Sequence, residues 1–173
     1  MTTTTSTTGT TGTTPLTPDT GGADARTLAR MSRDALDTLF RASQPGPIPA
    51  GQARGTALIL PGSPVDRVLQ ALVRALWWKG KVFSPATHDL KNRIGIFGTH
   101  LIRARVYEDE SWFAPGGGRA IILDYSSTSF VARKIRDEIR IVGPGLYLGQ
   151  VFWGGGRKRI ALFMLEFPTE AAP

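Results

Sequence analysis

The side chains that could carry chemistry in this chain fall mostly in its second half. Asp124 and Tyr125 end an apolar run, RAIILDY, and Asp137 and Glu138 follow among Arg133, Lys134, Arg136 and Arg140. If residues 136–142 form a strand, alternation puts Arg136 and Glu138 on one face and Asp137 on the other, beside Ile135 and Ile139. A carboxylate on an apolar face must be paired or have a job. Beside tyrosines, such an acid suits the polar anchor of a ligand headgroup, or one half of an acid–base pair. Aromatics on or next to predicted strands add flat apolar surface with phenol handles. The candidate ligand-binding set is therefore Tyr107, Trp112, Asp124, Tyr125, Arg136, Asp137, Tyr147 and Trp153. No catalytic residue is assignable within it.

Other chemistries lack their residues. There is no Cys, which removes disulfides, thiolate nucleophiles and Cys-based zinc sites together. His88 and His100 are the only histidines, with Asp89 beside the first. Their spacing does not put both on one helical face, and no metal site is expected. Ser126, Ser127, Thr128 and Ser129 form a polar cluster after a strand, not a nucleophile elbow. Gly116–Gly118 and Gly154–Gly156 precede no predicted helix, so they read as hairpin turns and not phosphate loops. The second leads into Arg157, Lys158 and Arg159, where an anion could sit. No cofactor is expected.

The formal net charge is +7, and all 21 Lys and Arg lie beyond residue 25. Such a surface attracts anionic partners: nucleic acid, lipid headgroups, acidic ligands. Arg103/Arg105, Arg133/Lys134 and Arg157–Arg159 lie near aromatics, as a barrel binding single strands would require, yet no specific nucleic-acid motif is present. The N-terminal stretch has neither an early positive charge nor an apolar run, and the run IALFMLEF is cut by Glu166. A soluble, cytoplasmic protein is expected, with contact to an anionic surface left open.

The elements that must position these residues follow from periodicity. Residues 1–22 are Thr- and Gly-rich and too polar to offset the entropy of ordering, so a disordered tail is expected. Leu28, Met31, Ala35, Leu36, Leu39 and Phe40 predict a helix at about 24–42, with Asp24 as its cap. Ser63-Pro64-Val65-Asp66 predicts the start of a second helix, at about 64–78, carrying Val65, Val68, Leu69, Leu72, Val73, Leu76 and Trp77 on one face. Strands are predicted at 55–60, around 82–83, at 94–97, 101–107 and 119–125, with a polar turn at Glu108–Ser111. Residues 131–142 fit either period, and a strand over 136–142 is preferred because Gly143-Pro144-Gly145 makes a tight turn into LYLGQVFW. The sum is one domain over 23–170: mainly β, an antiparallel meander barrel with two N-terminal helices.

LDYSSTSFVARKIRDEIRIVGPGLYLGQVFW, within residues 120–153, together with WWKGKVF, resembles an uncharacterised bacterial family of small proteins with lipocalin-like, calycin-type barrels. The likeness covers about residues 34–167. IRDEIRIV–GPG–LYLGQVFW is also similar, over barely twenty residues, to a strand pair of plastid fibrillin (lipid-associated) proteins. Neither resemblance carries a catalytic residue over. They imply a calyx-shaped fold and, by analogy, an apolar ligand. The expected function is binding of a small apolar or amphipathic molecule, a lipid or aromatic metabolite, inside the barrel. The alternatives are a barrel isomerase, cyclase or decarboxylase using Tyr and carboxylate groups, and a basic module for nucleic acid or anionic membrane.

Overall fold

The computed structural model describes residues 24–58, 81–84, 89–94, 100–127, 132–154 and 158–168. The predicted tail, the predicted helix at 64–78 and His88 lie outside them. The predicted helix at 24–42 is in fact two, α1 (Ala25–Arg30) and α2 (Arg33–Ala42). Local hydrogen bonding explains the break. Ser32 is extended and its Oγ accepts from the Ala35 amide at 3.2 Å, starting a new helix in the middle of an apolar stripe. Asp24 caps α1 as expected, its Oδ1 accepting from the Thr27 amide at 2.6 Å.

Eight antiparallel strands follow: β1 (Gly51–Leu58), β2 (Lys81–Ser84), β3 (Asp89–Ile94), β4 (His100–Glu110), β5 (Arg119–Asp124), β6 (Ile135–Gly143), β7 (Leu146–Trp153) and β8 (Lys158–Glu166). Each pairs with its sequence neighbours, and β8 pairs back onto β1, closing a barrel. Two expectations need correcting. β3 starts earlier than the alternation at 94–97 suggests, and β4 runs through Glu108 and Glu110, so the turn lies further on, over residues 111–118. The ambiguous segment resolves as one 3-10 turn, Ala132–Lys134, and then strand. Tertiary pairing decides it: β6 has a ladder on both sides, to β5 and to β7, which a helix would forfeit. The β6–β7 turn places Pro144 at its first central position and Gly145, with φ 63°, at the second, where a left-handed residue is required.

Alternation assigns the two faces of the wall. Phe83, Ala104, Val106, Ile121, Leu123, Ile139, Val151 and Phe163 form one buried cluster, the barrel interior. Ala120, Ile122, Leu148, Leu162 and Met164 form another on the outer face, beneath Leu28, Leu36 and Phe40 of the helices. β5, β7 and β8 are thus buried on both faces and read as continuous apolar runs, whereas β4 alternates because its Arg103, Arg105, Tyr107 and Asp109 face solvent. Each fully buried Leu, Ile or Phe contributes about 1.5–3 kcal/mol. Inside, Gly149 leaves room for the Phe163 ring: a Cβ there would lie 2.2 Å from it.

Long polar side chains fasten the helical layer to the barrel. Arg159 on β8 pairs with Asp37 of α2, its Nη2 donating to Oδ2 at 2.9 Å, and its Nη1 also donates to Gln150 Oε1 at 3.0 Å. It is a docking residue here, not a free anion contact. Arg140, 1% exposed, donates Nη1 to the carbonyls of Phe40, Arg41 and Ser43, Nη2 to Gly117 and Nε to Arg119. It satisfies the carbonyl end of α2, where the helix dipole also favours a cation.

Candidate functional site

The candidate residues divide between the two faces of the wall. Asp137, Tyr125, Tyr147 and Trp153 belong to the interior, while Tyr107, Trp112, Asp124 and Arg136 line an outer cleft and not the lumen. The inward placement of Asp137 between Ile135 and Ile139 is as the alternation predicts, and Arg136 and Glu138 share the outer face.

Inside, the alternation of β2 turns Lys81 inward with Phe83. β2 and β6 lie on opposite walls of the eight-strand ring, so the contact between Lys81 Nζ and Asp137 Oδ2, at 3.0 Å, spans the lumen. Lys81 also donates to the Tyr125 hydroxyl at 2.9 Å, and that hydroxyl donates to Asp137 Oδ2 at 3.3 Å. Lys81 is 2% exposed and Asp137 1%. The Lys81 ammonium lies 5.0 Å from the Phe163 ring centroid, a favourable but weak companion for a desolvated cation. Burial pushes the Asp137 carboxyl above its ordinary range, against the pull of Lys81, and pushes the Lys81 amine down, against the pull of Asp137. Burial, then the neighbouring Asp137 charge, holds the Tyr125 phenol well above its usual value. Both charged partners are thus driven toward their neutral forms. Among the described residues Asp137 Oδ1 is buried without a hydrogen-bond partner, as are Arg136 Nε and Gln150 Nε2.

The two ends of the barrel differ. At the β6–β7 turn, Tyr147 donates its hydroxyl to the Pro47 carbonyl at 2.7 Å, and its ring packs on Phe167, which packs on Phe83. That hydroxyl ties down the segment before β1, and the three rings pack together at this end of the interior. At the other end, the half-buried Trp153 pairs with Ile135, and Asp137 with Val151 comes one layer deeper.

Outside, a cleft of about 510 Å³ is lined by Tyr107, Trp112, Asp124, Ser126, Arg133, Lys134, Ile135, Arg136 and Gly154. The Arg136 guanidinium lies 4.2 Å from the Trp112 ring centroid and donates to the Glu110 carbonyl at 3.0 Å. Glu138, fully buried, is a loop organiser and not an acid of the site. Its carboxylate accepts from Ser111 Oγ at 2.7 Å, from the Trp112 amide at 2.7 Å and from Phe113 at 3.4 Å, and it faces Arg136 at 3.4 Å. Asp124 accepts from the Ser126 amide at 2.8 Å and from the Tyr107 hydroxyl at 3.4 Å. Burial, then the Asp124 charge, raises the Tyr107 phenol.

Lys81 is the interior residue that sequence reasoning overlooks. The signal was available, since Lys81 and Phe83 are in phase on a period of two, but the run is only four residues long. Among the described residues no three His, Asp or Glu side chains are grouped to hold a metal ion, and no helix is long and apolar enough to cross a membrane.

No protein-family model matches the chain, and no curated protein matches it. A solved structure of a protein from Thermomonospora curvata is similar over 80% of this chain and 88% of its own, with a TM-score of 0.52 and 20% identity. At that identity the likeness is one of fold, and it fits an antiparallel β-barrel.

Proposed function

We propose that this protein binds a small apolar or amphipathic molecule inside its barrel, in the manner of a lipocalin-like carrier, with Asp137, Lys81 and Tyr125 as the polar anchor. The observation that carries the reading is Asp137 Oδ1. A buried acceptor without a donor is costly, and natural cores rarely leave one. A ligand bearing an N–H or O–H would supply the donor, and its apolar body would meet the interior side chains around Ile135, Val151 and Trp153. An arylamine such as N-phenylnaphthylamine has both parts, and its fluorescence rises in an apolar site. Wild type should bind it, and Asp137→Asn should weaken binding up to about tenfold, the size of exchanging a charge-assisted hydrogen bond for a neutral one. Native mass spectrometry of gently purified protein should show a small bound molecule. A ligand-free protein that ignores the probe would overturn the proposal.

A second reading rests on the Tyr125–Asp137 contact. A phenol within hydrogen-bond reach of a carboxylate is the equipment of an acid–base enzyme acting on the same ligand. Turnover would appear as two related masses among the bound molecules, with only one in Tyr125→Phe. A single mass in both proteins favours binding alone.

A further inference from the structure

The outer cleft is separate from the interior anchor. Arg136 and Asp124 point away from the lumen, and among the described residues Ile135 belongs both to the cleft lining and to the interior cluster. Its volume of about 510 Å³ suits one small molecule. Its described lining carries Arg133, Lys134 and Arg136 and one acid, Asp124; Arg136 is paired with Glu138 at 3.4 Å and with Asp109 at 3.9 Å, so the basic rim is Arg133 and Lys134. Both Asp124 oxygens already accept hydrogen bonds, from Ser126 and Tyr107. Tyr107 is the one large hydrophobic side chain among the described residues that is exposed, at 36%. Trp112 stands beside it, its orientation fixed by the Arg136 guanidinium over the ring and by Phe152 at 5.8 Å in an edge contact. The cleft therefore presents rings held in place and a positive rim, supplied by Arg133 and Lys134 on the 3-10 turn at the entrance to β6.

We propose that this cleft is a second binding site, for a small planar anion: an aromatic or heteroaromatic ring carrying a carboxylate, sulfonate or phosphate group. The ring lies against Tyr107 and Trp112, and the anionic group meets Arg133 and Lys134. Stacking on an aromatic and charge-assisted hydrogen bonding each favour such a ligand over a neutral one. The lone acid Asp124 repels any anion that enters without reaching the basic rim.

Anilinonaphthalene sulfonate tests this with the same aryl amine body as the interior probe plus an anionic group. Wild type should bind it, with affinity falling as salt rises. Arg133→Gln with Lys134→Gln, two exposed positions, should weaken binding about tenfold or more. Tyr107→Ala should weaken it several-fold, and benzoate should displace the probe better than cyclohexanecarboxylate. Asp137→Asn should leave this binding unchanged while it weakens N-phenylnaphthylamine, so the two sites fail independently. Near-UV circular dichroism confirms that each variant keeps its packing. Sulfonate binding that ignores Arg133, Lys134 and Tyr107, or that follows Asp137, would overturn the proposal. Displacement of the probe by oligothymidylate at far lower concentrations than by thymidine monophosphate would also overturn it, in favour of strand binding.

Discussion

The ion pair across the lumen offers a sharp test of why the charges are there. Lys81 Nζ and Asp137 Oδ2 are 3.0 Å apart. At an effective permittivity of about 20 their attraction is about 5–6 kcal/mol. Removing each ion from water costs several kcal/mol, so the net contribution of such a pair lies near zero. The direction of both titrations agrees, since burial outweighs the partner's charge on each side. Lys81→Met should therefore cost about 3–5 kcal/mol, because it strands a buried carboxylate. Lys81→Met combined with Asp137→Leu should return to within about 1 kcal/mol of wild type, or exceed it. Urea denaturation measures both, with the midpoint read at an unchanged slope. The double-mutant cycle isolates the coupling. If the double variant is as unstable as the two single losses added together, the pair is not coupled and the reasoning fails. The functional half follows from the same proteins. A stable double variant that no longer binds N-phenylnaphthylamine shows charges kept for ligand and not for stability. A double variant that is stable and still binds would reject the polar anchor.

Two further outcomes follow. Because the Tyr125 phenol is raised in the folded state, its contribution is fully present below its ordinary value of 10.0 and is lost as pH rises above that; the stability of wild type should fall more steeply above pH 10.0 than that of Tyr125→Phe, in urea midpoints taken across the alkaline range. Gly149→Ala drives a methyl into the Phe163 ring and should cost about 2–3 kcal/mol; pairing it with Phe163→Leu should recover at least about 1 kcal/mol relative to additivity, and a fully additive pair would show that the ring is not what excludes the side chain.

Legibility in the sequence followed the range of the interaction. The alternation of residues 135–142 was enough to place Asp137 inside and Arg136 outside, because period two is a local property. The tight turn at Pro144-Gly145 was equally local. A barrel was readable from the meander, but the register that closes β1 onto β8, with Arg54 opposite Glu166, was not, since it leaves no local trace. Nor was the role of Glu138, whose amide donors lie in a distant loop. The division of the aromatic candidates was obscured for a different reason. β5 and β7 are covered on both faces, so their apolar runs do not declare which ring points inward. That same lack of alternation was itself a sign of where α1 and α2 dock. The helix break at Ser32 was a capping signal hidden by an intact apolar stripe.

β6 serves both proposed sites because its alternation is kept in register. Ile135, Asp137 and Ile139 face the lumen, and Arg136, Glu138 and Arg140 face out. A slip of one residue would exchange the sets, forcing three charges into an apolar interior and turning the isoleucines outward. The Pro144-Gly145 turn and the irregularity between Ile141 and Gly143 set the register at one end. Along the strand it is pinned from outside, by Arg140 against the end of α2 and by Glu138 against the 111–118 loop. The outward charges of this strand thus have structural work that accounts for Glu138 and Arg140 in full. It accounts for Arg136 only in part, since Arg136 also lines the cleft. It does not account for Asp137, the one inward charge, which adds nothing to the register that an isoleucine would not. In the proposed reading its buried Oδ1, without a hydrogen-bond partner among the described residues, is the atom that meets the ligand.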